Sequence, residues 1–168
     1  MARGLHRTLF LCTGNSARSL MAECALARWG GDRFRALSAG SQPKGAPHPL
    51  TLELLHRLHY DVSGLRSKSW NEFSSPGAPP LDFVFTVCDR ARGETCPVWP
   101  GQPVTAHWGS EDPVLAEGDD EQKLRAFRRV YTEIESRIKL FVSLPIESLD
   151  RLALTRRVQA IGKTDLMP

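Results

Sequence analysis

The sequence predicts an α/β domain, a four-stranded parallel sheet with helices on both faces, followed by a C-terminal helical extension. Short apolar runs alternate with amphipathic helical patterns along the chain, the order that produces a parallel sheet covered on both sides. A length of 168 residues fits one domain with a core large enough to hold without staples.

The first strand is expected at residues 8–12 and the second around 34–39. The third lies at 82–87, where DFVFTV looks buried on both faces, and a weaker fourth lies around 104–107. Helical patterns fall between them, at 17–29 and at 49–59, where Pro49 suits a first helical turn. The clearest runs from about 121 to 141. Leu124, Phe127, Tyr131, Ile134, Ile138 and Phe141 alternate three and four apart and make one apolar stripe. A final helix is expected over 146–161, with Leu149, Leu152, Val158 and Ile161 on its inner face. No internal repeat is present, and SSPGAPP at 74–80 reads as a surface loop.

Composition narrows the class. Apolar and charged fractions are those of a soluble globular protein. The apolar run near the start, residues 9–12, is too short for a signal peptide, and no stretch approaches a membrane span. A cytoplasmic protein with no membrane partner is expected. The net charge of +3 comes from scattered basic residues, which suits a small anionic substrate and not a nucleic-acid stripe. Cysteines in the cytosol stay reduced, so the four here are buried hydrophobes, metal ligands or working thiols.

In open parallel sheets ligands bind outside the carboxyl ends of the strands. Those ends follow residues 12, 39, 87 and 107, and cysteines stand at two of them. At the first, Cys12 is followed by Thr13, Gly14, Asn15, Ser16 and Ala17, then Arg18, Ser19 and a helix. Five small or polar residues can curl so that backbone amides converge on an anion. The helix adds its positive N-terminal end, and Arg18 offers a fork of donors matched to two oxygens of a tetrahedral oxyanion. The same field stabilises the Cys12 thiolate, the nucleophilic form. Ser19 is placed to donate to that sulfur. Asn15 tolerates the left-handed backbone such a loop needs, and Gly14 supplies flexibility. Cys and Arg six apart recur by chance in many chains. The strand before, the helix after and the residues between single this pair out.

The segment CTGNSARSLMAE resembles the active-site loop of arsenate reductases built on the low-molecular-weight protein tyrosine phosphatase fold. The resemblance continues through Ser38-Ala39-Gly40, VFTVCDRARGETCPVWPGQP and HWGSEDP to about Phe141. It implies a phosphatase-like domain over 1–143, with 144–168 as an extension found in some bacterial members. It also implies that strands one and three are neighbours, so that Cys12 and Cys88 open onto one crevice.

Cys96 follows Cys88 after a charged segment containing Gly93, which reads as movable. Eight residues apart is the wrong spacing for a zinc knuckle, and the histidines show no metal-ligand spacing, so no metal or other cofactor is expected. His48, His56 and His59 read as surface residues. Cys24, on the apolar face of the first helix, reads as core packing. By resemblance Asp112, in an Asp-Pro pair, is the general acid, held protonated in a partly desolvated site; its neighbour Glu111 is not.

The resemblance then implies a reaction. Cys12 attacks arsenate, Asp112 protonates the departing oxygen, and Cys88 attacks the Cys12 sulfur to release arsenite. Cys96 resolves the Cys12–Cys88 disulfide, and thioredoxin or another thiol donor reduces Cys88–Cys96. The purpose is arsenic detoxification. The alternative is a low-molecular-weight tyrosine phosphatase hydrolysing aryl phosphates, which needs Cys12, Arg18 and Asp112 only; Val114-Leu115-Ala116 offers no aromatic wall for its substrate. A thiol trap for arsenite or soft metals would need neither Arg18 nor Asp112. Departures from the family are Ala17, where some members carry another Cys, and a Cys88–Cys96 interval one residue longer than in some. Certain members bind potassium near the loop through a residue matching Glu23. Arg66 and Lys68 fall where further ligands would lie, so an ammonium group is expected in the ion's place.

Overall fold

The computed structural model describes residues 5–88 and 96–164. Strands β1 (His6–Leu11), β2 (Phe34–Ala39), β3 (Phe83–Thr86) and β4 (Val104–His107) form one sheet in the order β2-β1-β3-β4, every pairing parallel. The helices are α1 (Arg18–Gly30), α2 (Pro49–Arg57), the single turn α3 (Asn71–Ser74), α4 (Asp120–Val142) and α5 (Arg151–Lys163). Alternation along the strands divides the apolar residues between two faces. Phe10, Phe83 and Phe85 join the main core with α1, α2, α4 and α5. Leu9, Leu11 and Val84 face a smaller cluster with Leu81 and Trp99, closed by Trp70 and by Phe73 of α3. Helices lie on both faces, unequally.

The expected stripe of α4 is buried from Leu124 to Phe141. A capping box starts the helix: the Asp119 carboxylate accepts from Gln122 N at 2.9 Å, and Asp119 N donates to Gln122 Oε1 at 2.8 Å. Phe141, at its far end, stands edge-on to Phe83 and Phe85, while Phe85 stacks on Trp108 with centroids 4.0 Å apart.

The C-terminal helix differs from the expectation. Residues Ile146–Ser148 make a 3-10 turn, and the Asp150 carboxylate accepts from Ala153 N at 2.8 Å, so α5 starts at Arg151. The N-cap resets the helical phase. Leu154, Val158 and Ile161 turn inward and Leu152 is 61% exposed. α5 then closes the β4 end of the sheet. The Trp108 indole donates to Val158 O at 2.9 Å, and Gly162 sits so close to His107 O that a Cβ there would collide.

Ending the chain after residue 143 uncovers Trp108 and the β4 side of the core. The melting temperature is expected to fall by roughly 10 °C or more, with red-shifted tryptophan emission. Unchanged melting and emission would mean that the extension contributes nothing to the fold.

Candidate active site

The parallel register sets Leu11 opposite Thr86. Cys12 and Thr13 therefore leave β1 beside Val87 and Cys88 leaving β3. Val87 N donates to Leu11 O at 2.9 Å and Cys12 N to Ala39 O at 3.2 Å, so the chain past three strand ends is held at one edge.

The loop after Cys12 is tethered from outside. Gln42 N donates to Thr13 O, Lys44 N and the Ser67 hydroxyl to Gly14 O, and His48 N and the Thr51 hydroxyl to Ser16 O, all at 2.8–3.1 Å. Tying carbonyls outward suits the arrangement in which successive amides converge on an anion. Asn15 has φ 45° and is fully buried. Its Oδ1 accepts from Lys68 N at 2.9 Å, and its Nδ2 donates to Ser19 Oγ at 2.8 Å and Ser38 Oγ at 3.1 Å. Gly40 passes so close that a Cβ would lie 2.5 Å from Thr13 O and 2.8 Å from Cys12 O. No other residue fits there.

α1 begins with Ala17 at its N-cap, without a side-chain cap and without an acidic residue in its first turn. Its positive end is therefore not offset by a side chain of its own first turn. The cavity in front, about 190 Å³, is bounded by the loop, Cys12, Arg18, Lys44, Cys88 and Asp112. Arg18 Nη1 donates to Ser110 O at 2.8 Å, and Nη2 lies 3.5 Å from Asp112 Oδ2. Asp112 Oδ1 accepts from Val114 N at 3.0 Å, fixing the 3-10 turn Pro113–Leu115. Glu111 turns away to Arg129, 2.6 Å from Nη2.

Cys12 and Cys88 are both buried and hydrogen-bonded to each other, and the Thr13 hydroxyl lies 3.9 Å from Cys88 Sγ. The bond with Cys88 and then burial push the Cys12 thiol up; the Arg18 charge and the Gly14 amide pull it down. Two thiols coupled in this way titrate as a pair. Burial pushes Cys24 up to about 12, the behaviour of a core residue.

Cys96 lies apart from this cavity. It is exposed, on the rim of a second cavity of about 880 Å³ with Trp99, His107, Gln159 and Lys163. Residues 89–95, expected to be movable, lie outside the described residues. Ser19 is bound to Asn15, and among the described residues no hydrogen bond joins it to the Cys12 sulfur. His48 is half-buried against Phe127 and caps α2, its Nδ1 accepting from Leu50 N at 3.1 Å, so it is not a simple surface residue. Gln42 and Lys44 also line the cavity; neither carries a sequence signal of its own beyond lying just after the strand end at residue 39.

Behind the loop, Lys68 Nζ donates to Ser38 Oγ at 3.2 Å and Arg66 O at 3.1 Å, 3.6 Å from Glu23 Oε1. Ser38 Oγ donates to Glu23 Oε1 at 2.5 Å. The expected ammonium is that of Lys68; Arg66 pairs outward with Glu72. Burial draws the Lys68 amine down and Glu23 opposes this. Among the described residues no group of three or more His, Cys, Asp or Glu side chains is set to hold a metal ion.

A profile of the low molecular weight phosphotyrosine protein phosphatase family matches residues 7–154. An arsenate reductase of Halalkalibacterium halodurans is 39% identical over 132 residues, 79% of this chain and 91% of that protein. A solved thioredoxin-dependent arsenate reductase of Corynebacterium glutamicum superposes with a TM-score of 0.58 at 26% identity over 83% of this chain; this chain spans 61% of that one. The solved arsenate reductase of Archaeoglobus fulgidus gives 0.63 at 26% identity, over 82% of this chain and 99% of its own.

Two outcomes check the charge balance. Removing the Cys88 bond lowers the Cys12 pKa, so Cys88→Ala is expected to shift Cys12 alkylation by iodoacetamide to lower pH. Followed on the Cys12 peptide by mass spectrometry at pH 7, it becomes roughly tenfold faster. Lys68→Ala leaves Glu23 and Ser38 without their cation. Thermal stability of this variant is expected to rise with potassium chloride more than with sodium chloride, while the parent is indifferent to the choice.

Proposed function

Since the chain belongs to the low molecular weight phosphotyrosine protein phosphatase family and its curated relatives at up to 39% identity are arsenate reductases, we propose that it reduces arsenate to arsenite in arsenic detoxification. The observation that carries this reading is the pairing of Cys12 with Cys88 inside one cavity that also holds Arg18. A hydrolase has no use for the second thiol.

Arsenate enters the loop of residues 13–17, and Arg18 exchanges Asp112 for two oxygens of the ligand. The Cys12 thiol passes its proton to the incoming arsenate dianion, and the thiolate, favoured by Arg18 and the Gly14 amide, attacks arsenic. Asp112, released from Arg18, protonates the oxygen that leaves as water. Cys88 then gives its proton to an arsenic-bound oxygen, and its thiolate attacks the Cys12 sulfur. The sulfur–arsenic bond breaks with its electron pair going to arsenic, which leaves as arsenite, and a Cys12–Cys88 disulfide remains. Cys96 attacks Cys88 and frees Cys12, and thioredoxin or another dithiol donor reduces Cys88–Cys96 to complete the cycle. No resident cofactor takes part. The demand for a reducing thiol pool places the work in the cytoplasm, and no helix among the described residues is long and apolar enough to cross a membrane.

Hydrolysis of aryl phosphates is the second reading, because Cys12, Arg18 and Asp112 are sufficient for it. Against it, the wall after the Asp-Pro pair is Val114, with Leu115 76% exposed, and offers no ring to stack on a phosphotyrosine.

The deciding measurement is arsenate-dependent NADPH oxidation with thioredoxin and its reductase, beside hydrolysis of p-nitrophenyl phosphate. Turnover is expected in the first assay. Cys12→Ser, Cys88→Ser and Cys96→Ser each lower it by at least about 1000-fold, and Cys24→Ser changes it less than about twofold. Cys88→Ser spares hydrolysis. Turnover with the aryl phosphate alone makes the protein a phosphatase.

A further inference from the structure

We infer that Arg137 is a positioning residue for the reaction: from α4 it fixes the Gly109–Ser110 segment that carries Asp112 and anchors Arg18. This rests on the assignment of Asp112 as the proton donor. Arg137 Nη1 donates to Gly109 O at 2.7 Å and lies 3.4 Å from Ser110 Oγ. Arg18 Nη1, arriving from α1, donates to the next carbonyl, Ser110 O, at 2.8 Å. Ser110 N donates to Val87 O at 3.2 Å, one residue before Cys88. Two guanidiniums from different helices thus hold consecutive carbonyls, and the amide between those carbonyls is tied to the strand end that delivers the second thiol. Asp112 stands two residues further on.

The cost of this arrangement argues that it is more than packing. Arg137 is only 6% exposed, one turn from Ile134 and next to Ile138 on the apolar side of α4. An apolar side chain of similar volume would fill that place without desolvating a charge. Burial draws its pKa down and Glu133, 3.7 Å away, opposes this. Its Nε is buried without a partner among the described residues. The side chain is therefore not placed to satisfy all its own donors; the end that is satisfied is the one on the acid loop. When the oxyanion draws Arg18 away from Asp112, Arg137 and Val87 keep the segment in place, so the carboxyl stays within reach of the departing oxygen. Proton transfer loses up to about a hundredfold from a misplacement of about 1 Å, which makes such a brace worth its desolvation.

The test is a double-mutant cycle on the full chain, read in single-turnover arsenate reduction. Arg137→Met is expected to lower the rate constant about tenfold while half-saturation by arsenate stays within about twofold. In an Asp112→Asn background the same substitution is expected to cost less than about twofold, because the group it positions is already disabled. Equal losses in the two backgrounds, or no loss in the first, overturn the inference. If the parent fails to reduce arsenate, the proposed reaction is wrong, and the same cycle read with p-nitrophenyl phosphate decides the role of Arg137 by the same criterion. If Arg137→Met does not fold, Arg137→Lys replaces it: one ammonium cannot reproduce the fork. Its amides at 110–112 and at 114 are then expected to exchange hydrogen at least about fivefold faster, with those of β1 unchanged. Unchanged exchange at 110–112 and 114 overturns the inference.

Discussion

Parallel pairing of β1 with β3 is the constraint from which the site follows. A parallel neighbour in this sheet forces two chain segments to leave at the same edge, and the register fixes how far each has travelled when it leaves. With Leu11 opposite Thr86, Cys12 and Cys88 emerge within one residue step of each other and their sulfurs meet. A shift of β3 by one residue would turn Phe83 and Phe85 out of the main core, against Trp108 and Phe141, so the core that stabilises the sheet also sets the thiol geometry. Stability and chemistry are enforced by the same contacts.

The proposed anion loop faces a second problem, which is how to hold an unrepetitive backbone rigid without using the donors an oxyanion requires. Here the outside partners take carbonyls: Gln42, Lys44 and His48 through their amides, Thr51 and Ser67 through hydroxyls. Asn15 braces the inside with both ends of one carboxamide. Its positive φ is tolerated because three polar neighbours over-determine it. Lys68 then neutralises Glu23 behind the loop, so the positive field in front comes from Arg18, Lys44 and the end of α1 and is not cancelled by the buried carboxylate.

Much of this was legible beforehand. The strand runs, the α4 stripe and the Cys12–Arg18 loop read directly because each is a local pattern whose period or spacing carries its own meaning. The left-handed Asn15 is what Asn tolerates, and Glu111, set aside in favour of Asp112, pairs outward with Arg129. The misses have a common cause. The start of α5 was placed too early because Asp150 acts as an N-cap, a competition among neighbouring polar groups that periodicity cannot see. Ser19 reads from the sequence as a donor to the sulfur, whereas its hydroxyl oxygen accepts from the buried Asn15, four residues back in the same loop. His48 was read as exposed because its neighbour Phe127 is far off in the sequence. Arg137 is one of the scattered basic residues in the sequence, and only the fold shows that its side of α4 faces the Gly109–Ser110 segment.

The position of Cys96 follows the same logic. In the proposed relay the reacting pair is the buried one, Cys12 and Cys88 being 7% and 2% exposed. A macromolecular reductant cannot reach a disulfide in that position. Some group has to carry the oxidation outward, and it has to be exposed where the donor arrives and still connected to Cys88 by a short chain. Cys96 meets both conditions: it is exposed, it borders an open cavity beside β4 and α5, and it is eight residues from Cys88. Separation of the third sulfur from the first two suits the proposed relay. A structure with all three packed together would leave nothing at the surface for a donor to attack.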